Sequence, residues 1–358
     1  MSLLFQTTNE KDEDNREAIR LPAESVNSAI RVIEQRMLER QSGIIKGFFN
    51  IPELKEIVRK PMPGDLVSIC GRPRHGKSFI AKKLILEETL ELYKEGPSDK
   101  CTICVTWEEP AEILAMNWMA HLSNISTTKM VRGDITVNEF GKLSDTIMLK
   151  VGSWPIYIIG SSINRRNDGK RYIPDLTLHG VEKALYWLLN KQQKNPVMIS
   201  GDYIQRVRSS GAIDMKQHVM NVSNWFKDLA GLGTVAVQVT QAKQQIETKD
   251  LPMPDLDDSE WSASVGQMSD FYLGTMMPIK KYRIEGSRIT KYYNYINFPV
   301  SKDLLFIKVD KQKYDEDGFV FPLQVRPDLL KWRMADFYYD SSYARDMQHV
   351  RPTKDVWY

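Results

Sequence analysis

The residues at 71 to 78, GRPRHGKS, set two glycines, a lysine and a serine at the spacing G-x-x-x-x-G-K-S. A loop of this pattern turns successive backbone N–H groups around a phosphate. Gly71 and Gly76 let the backbone curl around the β-phosphate, Lys77 neutralises charge at the β/γ-phosphates, and Ser78 offers a hydroxyl to Mg²⁺. Arg72, Pro73, Arg74 and His75 fill the loop between the glycines. The apolar run from Leu66 to Cys70 before the loop reads as a buried strand, and 77–95 after it as a helix whose N-terminus faces the anion. The ligand this chemistry implies is a nucleoside triphosphate, held with Mg²⁺.

Hydrolysis needs more than a phosphate cradle. Asp202 follows the apolar segment 196–200 and is placed to hold Mg²⁺ through water at a strand end. Glu108 ends an expected strand, 101–107, where a carboxylate can orient and deprotonate an attacking water. Its neighbour Glu109 alternates to the other face if that strand continues, so Glu108 is preferred. Gln241 ends a third strand, VAVQVTQ, and an amide there can sense the γ-phosphate and report it to the following loop.

The elements that must position these groups alternate. Strands are expected at 66–70, 101–107, 156–159, 196–200 and 233–239, with helices at 77–95, 110–122, 179–193 and 214–230. Such alternation means an α/β unit with a mostly parallel central sheet flanked by helices. Strand-like segments near 271–275, 304–309 and 319–324 close it. Residues 1–21 read as a polar, disordered tail, and 22–41 carry apolar residues at helical spacing, including Val26, Ile30, Ile33 and Met37. The α/β domain is expected to run from 42 to 334, with 335–358 as an aromatic-rich tail.

Composition narrows little. Hydrophobic residues make up 42% and charged residues 27% of the 358, an ordinary globular balance, and a net charge of +3 requires any nucleic-acid surface to be local. No apolar run approaches a membrane span and the start is too polar for a signal peptide, so a cytoplasmic protein with no membrane partner is expected. Cys101 and Cys104 form a C-x-x-C without a second pair, inside a strand-like run; core cysteines are the better reading.

Six segments in order resemble the ATPase domain of DnaB-type replicative helicases, in the RecA-like superfamily. SGIIKGF from Ser42 and PMPGDLVSICGRPRHGKS resemble the entry into that family's phosphate loop, and VTWEEPAEIL at 105–114 its strand with the catalytic glutamate, Glu108 in register. GDYIQRV at 201–207 is similar to its Walker B strand and VQVTQAKQQ at 237–245 to the motif with the sensor glutamine, here Gln241. DLDDSEWSASVGQMSD at 255–270 parallels an acidic loop and helix, keeping Gln267 and Asp270, and FIKVDKQK at 306–313 the strand that reaches a neighbouring subunit's site. The resemblance runs from about 22 to 333. It implies a homo-oligomeric ring, usually a hexamer, with ATP at the subunit interfaces and single-stranded DNA in the channel. Lys311 and Lys313 would then complete the neighbour's site, Lys313 standing where the family has an arginine. It further implies that 22–41 packs on the adjacent subunit, against the alternative that it folds back on its own domain. A primase, a loader or another replisome protein would be the partner, and no counterpart of the collar domain of bacterial helicases is expected within these residues.

DNA contact is expected from channel loops: Arg206, Arg208, Ser209 and Ser210 after Asp202, and Lys243 and Lys249 after Gln241. The segment 279–313, basic and interleaved with Tyr282, Tyr292, Tyr293 and Tyr295, suits either nucleic-acid stacking or a twisted hairpin with cross-strand tyrosines. The expected function is a ring-forming, ATP-hydrolysing DNA helicase or translocase. The alternative is a nucleotide-dependent assembly or recruitment ATPase in which hydrolysis acts as a timer.

Overall fold

The strand before the phosphate loop is β1 (Leu66–Gly71), and every residue of it is buried. A strand with no exposed face needs cover on both sides, which a parallel sheet with helices above and below supplies. The computed structural model describes residues 45–335 apart from 55–56, 162–174, 208–213, 250–251, 262, 293–294 and 314–317. In chain order β1 is followed by α1 (Lys77–Glu95), β2 (Lys100–Thr106), α2 (Ala111–Ser123), α3 (Thr127–Arg132), α4 (Val137–Lys142), α5 (Met148–Gly152) and β3 (Ile156–Gly160). Next come α6 (Leu178–Tyr186), β4 (Asn195–Asp202), α7 (Met215–Gly231), β5 (Val235–Gln241), α8 (Ser264–Met268), β6 (Phe271–Met276) and α9 (Pro278–Tyr282). The hairpin β7 (Arg288–Tyr292) and β8 (Tyr295–Pro299) precedes β9 (Leu304–Gln312), β10 (Phe319–Arg326) and β11 (Lys331–Met334).

Nine strands form one sheet in the order β11-β10-β9-β6-β1-β5-β4-β2-β3. From β3 across to β6 the pairings are parallel, and β9, β10 and β11 add on antiparallel. The mostly parallel sheet expected from the alternation is therefore the observed one. Because β1, β2, β4 and β5 run the same way, the loops after all of them open at one edge of the sheet, where parallel α/β sheets bind ligands.

Helices α1 and α2, with the segment 45–58, cover one face of the sheet; α6, α7 and α8 cover the other. The entering segment is pinned by carboxylates on α1. Glu88 Oε2 accepts from the backbone N–H of Lys46 at 2.9 Å and of Gly47 at 2.8 Å, and Glu87 Oε2 from Asn50 N–H at 2.9 Å. A Cβ at Gly47 would stand 2.2 Å from the Glu88 nitrogen, so only glycine admits this approach. Glu87 also pairs with buried Lys83 at 3.2 Å and accepts from Trp332 Nε1 at 2.9 Å. Removing one partner of a pair this deep leaves an uncompensated charge, at a cost of about 3–5 kcal/mol.

Some local expectations change. Helix 179–193 is regular only to Tyr186, after which residues Trp187–Lys191 form a π-type turn. Residues 127–152, for which no elements were expected, form the short helices α3 to α5; α4 carries a complete capping box in which Thr136 and Glu139 exchange bonds. The strand expected at 233–239 begins at Val235, because Gly233 takes a turn with φ of 91°. Segment 279–313 contains the hairpin, with Tyr292 opposite Tyr295, which is the second of its two readings. All the cysteines are buried, and burial pushes the Cys101 and Cys104 thiols up to about 12 and about 11. No described helix is long and apolar enough to cross a membrane. The tail 1–21, the amphipathic 22–41 and residues 336–358 lie outside the described residues.

Candidate nucleotide site

β1 lies between β5 and β6, so the phosphate loop rises at the middle of the sheet. Gly76 caps α1 with φ of 86°, a conformation open to glycine, and Arg74 also adopts a left-handed backbone, φ 65°. His75 fastens the loop to its neighbour: its Nδ1 accepts from Met277 N–H at 3.1 Å. Burial pushes the imidazole down to about 4, which keeps that nitrogen an acceptor at neutral pH. Lys77 is largely desolvated, which lowers its pKa, and its Nζ donates to the Arg72 carbonyl at 2.9 Å. A cation curled back onto its own loop is placed to exchange that carbonyl for phosphate oxygens.

Asp202 ends β4, two strands away from β1. Burial pushes its carboxyl up to about 6, opposed by a hydrogen bond from the Ser78 hydroxyl. Its Oδ1 is buried with no hydrogen-bond partner among the described residues. A buried carboxylate oxygen with nothing to bind is costly unless a cation is to occupy the place. Ser78 and Asp202 thus fit the donor set expected for Mg²⁺ beside a triphosphate. Among the described residues no group of three or more His, Cys, Asp or Glu is arranged to hold a metal.

Glu108 and Glu109 are separated by a different device than strand alternation. β2 ends at Thr106, paired with Asp202 across the sheet, and the chain then turns, Thr106 Oγ1 bonding the Glu109 carbonyl at 2.8 Å. Glu109 is folded back and neutralised by Lys82 at 2.6 Å. Glu108 stands exposed at the apex with no hydrogen bond or ion pair among the described residues, and its charge is felt by both Lys77 and Asp202.

Gln241 ends β5 directly beside Gly71. Its carbonyl accepts from Glu260 N–H at 2.7 Å, and Ala242 bridges Ser259. Arg72 of the phosphate loop reaches over the same strand end, donating to the Ala242 carbonyl at 3.0 Å and pairing with Glu247 at 2.7 Å. The phosphate loop, the end of β5 and the acidic loop are therefore in direct contact.

Of the expected DNA contacts, Arg208, Ser209 and Ser210 lie outside the described residues. Arg206 is exposed, its Nε donating to Tyr203 Oη at 3.0 Å. Lys243 and Lys249, also expected to meet DNA, are partly exposed and bonded to the acidic loop. Lys243 Nζ donates to the Asp257 carbonyl at 2.6 Å, and Lys249 pairs with Asp255 at 3.0 Å and with Asp258. Desolvation opposes the charge on Lys249, but its two carboxylate partners raise its pKa overall. Both lysines are used inside the acidic loop.

Lys311 and Lys313 sit at the other end of the sheet. β9 runs antiparallel to β6, so Lys311 faces Tyr272 and Lys313 N–H donates to the Asp270 carbonyl at 2.9 Å, next to Leu66 where β1 begins. The six residues of β1 hold them roughly 17 Å from their own phosphate loop. Lys311 Nζ donates to the Gln267 carbonyl at 3.0 Å, and Lys313 pairs with Asp270 at 3.3 Å.

Sequence reasoning passed over Lys82, His75 as an anchor, and Gln205, whose amide bonds Thr240 on β5. Only Lys82 had a local signal, one turn after Ser78 on the same helix face.

The family model described as the DnaB-like helicase C terminal domain matches residues 43–283. The replicative DNA helicase DnaB of Buchnera aphidicola is 23% identical over 250 residues, covering 69% of this chain and 50% of the relative. That of Pasteurella multocida is 25% identical over 214 residues, 59% of this chain and 42% of its own length. This chain spans about half the length of the curated relatives it matches. Among solved structures, one described as an ATPase domain superposes with a TM-score of 0.65 at 16% identity, over 89% of this chain and all of that one. A DnaB-like replicative helicase described with its interactions with primase gives 0.63 at 17%, over 86% and 66%. At these identities the structural likeness speaks to the fold, which is the RecA-like one expected.

Proposed function

The chain belongs to the DnaB-like helicase C-terminal domain family, and from that premise we propose that it forms a ring in which ATP, bound with Mg²⁺ between subunits, is hydrolysed to drive movement along single-stranded DNA. The observation that carries this reading is the separation of two half-sites within one chain. Lys77, Ser78, Asp202, Glu108 and Gln241 stand at one end of the sheet, and Lys311 and Lys313 at the other. A head-to-tail contact joins unlike ends, bringing the far end of one copy against the near end of the next, and makes a ring when its rotation closes.

In that arrangement the residues divide the work. Lys77 leaves the Arg72 carbonyl to hold β/γ-phosphate charge, and the N-terminus of α1 faces the same anion. Ser78 and Asp202 would hold Mg²⁺, which neutralises charge developing on the phosphates. Glu108 orients a water on the far side of the γ-phosphate and accepts its proton. Lys311 and Lys313 of the adjacent copy add positive charge where the transferring group gains negative charge; lysine does so as a point charge, without the planar fork of the arginine found in the resembling family. Gln241 relays the phosphate state to the acidic loop through the Glu260 and Ser259 contacts, and Arg206 meets the DNA backbone.

Exposed Val131, Val137, Phe140 and Leu149 lie close in sequence on α3 to α5. We assign this apolar surface to residues 22–41 of the adjacent copy, whose apolar residues recur at helical spacing. Removing residues 1–41 should then weaken the oligomer, and an undiminished ring by mass photometry would refute that assignment. A recruitment ATPase without translocation is the less favoured reading, given the family. A primase, loader or other replisome protein, and a cytoplasmic setting, follow as parts of the same proposal.

The deciding experiment is steady-state ATP hydrolysis with and without single-stranded DNA, with Glu108→Gln as the blank. Strong stimulation that vanishes in the variant supports the translocase. Turnover indifferent to DNA would shift the reading to the assembly ATPase.

A further inference from the structure

Three loop segments meet at the ligand end of the sheet: the turn after Asp202, the end of β5, and the acidic loop. One line of side chains crosses all of them. Gln205 Nε2 donates to Thr240 Oγ1 at 2.9 Å, and Thr240 Oγ1 shares a hydrogen bond with Ser259 Oγ at 2.9 Å. Thr240 and Ser259 are fully buried, and the Gln205 Oε1 is buried with no partner among the described residues. The neighbours of these residues are the groups already given roles. Gln205 lies between Asp202 and exposed Arg206, Thr240 precedes Gln241, and Ser259 precedes Glu260, which holds the Gln241 carbonyl at 2.7 Å.

We propose that Gln205 is a positioning residue that couples the DNA-facing turn at Arg206 to the sensor Gln241 through Thr240 and Ser259. This rests on the translocase reading above and names the internal link that reading needs. Three facts argue for coupling over mere packing. The strap joins segments from different parts of the chain, whereas a local cap would serve its own turn. A glutamine amide that leaves its oxygen buried and unbonded carries a desolvation cost that a leucine or methionine in the same place would not. Gln205 and Arg206 also share one short 3₁₀ turn, Ile204–Arg206, so a pull on the exposed arginine moves the amide with it.

The test is the ratio of DNA-stimulated to basal ATP turnover in the full-length protein, with poly(dT) oligonucleotide as the probe. Gln205→Ala and Thr240→Val are expected to keep basal turnover within about two-fold while stimulation falls about ten-fold or more, a loss in kcat with little change in the KM for ATP. Thr240→Ser, which keeps the hydroxyl, should retain the stimulation. The Gln205→Ala, Thr240→Val double variant should lose no more than either single one, as members of one strap do. A purely structural role would lower the melting temperature and basal turnover together and leave the ratio unchanged; that result overturns the proposal. Equal loss in Thr240→Ser and Thr240→Val also overturns it. If the wild-type protein shows no stimulation at all, the translocase reading falls and the coupling role with it, whereas stimulation preserved in Gln205→Ala removes the coupling role alone.

Discussion

Two aspartates at opposite ends of the sheet have opposite electrostatics. Asp202, at the ligand end, has one oxygen without a partner among the described residues, and burial pushes its carboxyl up to about 6. Asp270, at the far end, is also penalised by burial, yet Lys227, the Leu66 N–H and Lys313 hold it below the usual carboxylate range. One end has a charge waiting for a cation that the chain itself does not supply; the other has supplied its own. The ligand end carries a cost in stability that the far end does not, a difference that suits the proposed presentation of the far-end lysines to another subunit.

The largest expected effect falls on the ligand end alone. Lys77→Ala should lower ATP turnover by about 10³-fold or more, since it removes fixed charge at the phosphates. Unchanged turnover would mean that the loop is idle. Glu108→Gln should lower turnover by about 10²- to 10³-fold while nucleotide still binds, measured with a fluorescent analogue; loss of binding as well would place Glu108 in the cradle and not at the water.

Lys313→Ala, at the far end, should cost about 10²-fold by itself. The comparison is sharpened by mixing it with Glu108→Gln. If the ends serve one another between copies, about a quarter of the interfaces in an equal mixture have both halves intact, and activity returns from two nearly inactive proteins. No recovery would mean that each chain uses its own lysine, against the roughly 17 Å that β1 imposes.

Smaller effects, on stability, have opposite signs at the two ends. The folded protein keeps a proton on Asp202 between pH 3.8 and about 6 that the unfolded chain has released, so this group's contribution to stability falls as pH rises through that window. Asp202→Asn should therefore stabilise the nucleotide-free protein at pH 7 by about 3 kcal/mol while abolishing turnover. Glu88, raised to about 7 by burial, titrates nearby, so the difference between wild type and variant is the quantity to read by thermal melting. Asp270→Asn should do the reverse. Its carboxylate is held below 3.8, so its contribution is present above that pH and is lost as pH falls below it. Losing its charged hydrogen bonds should cost about 1.5–3 kcal/mol. A shared sign for the two variants would dissolve the contrast between the ends.

How much was legible beforehand depended on whether the signal was local. The buried runs of β1, β4 and β5 and the turn at GRPRHGKS state their structure in adjacent residues, and the parallel sheet followed from their alternation. The helices of 127–152 were not legible, because each is too short to display a period. The choice of Glu108 over Glu109 was made on strand alternation, whereas the chain turns at Thr106 and Lys82 takes up Glu109. The bonds from Lys243 and Lys249 to Asp255, Asp257 and Asp258 were not legible, because nothing in the sequence says that the acidic loop folds back on these lysines.

The sequence by itself determined the phosphate cradle, the order of strands and helices along the chain, and the residue types at each strand end, since all of these depend on neighbours a few positions apart. Only the tertiary structure decided that Asp202 would lack a partner, that Gln205 would reach Thr240, and that Lys311 and Lys313 would stand at the opposite end of the sheet from the phosphate loop. Those facts depend on which strand lies beside which and in which direction it runs. Strand order and direction are settled by how the two faces of the sheet bury their apolar surface against helices from distant parts of the chain, and no local window contains that information.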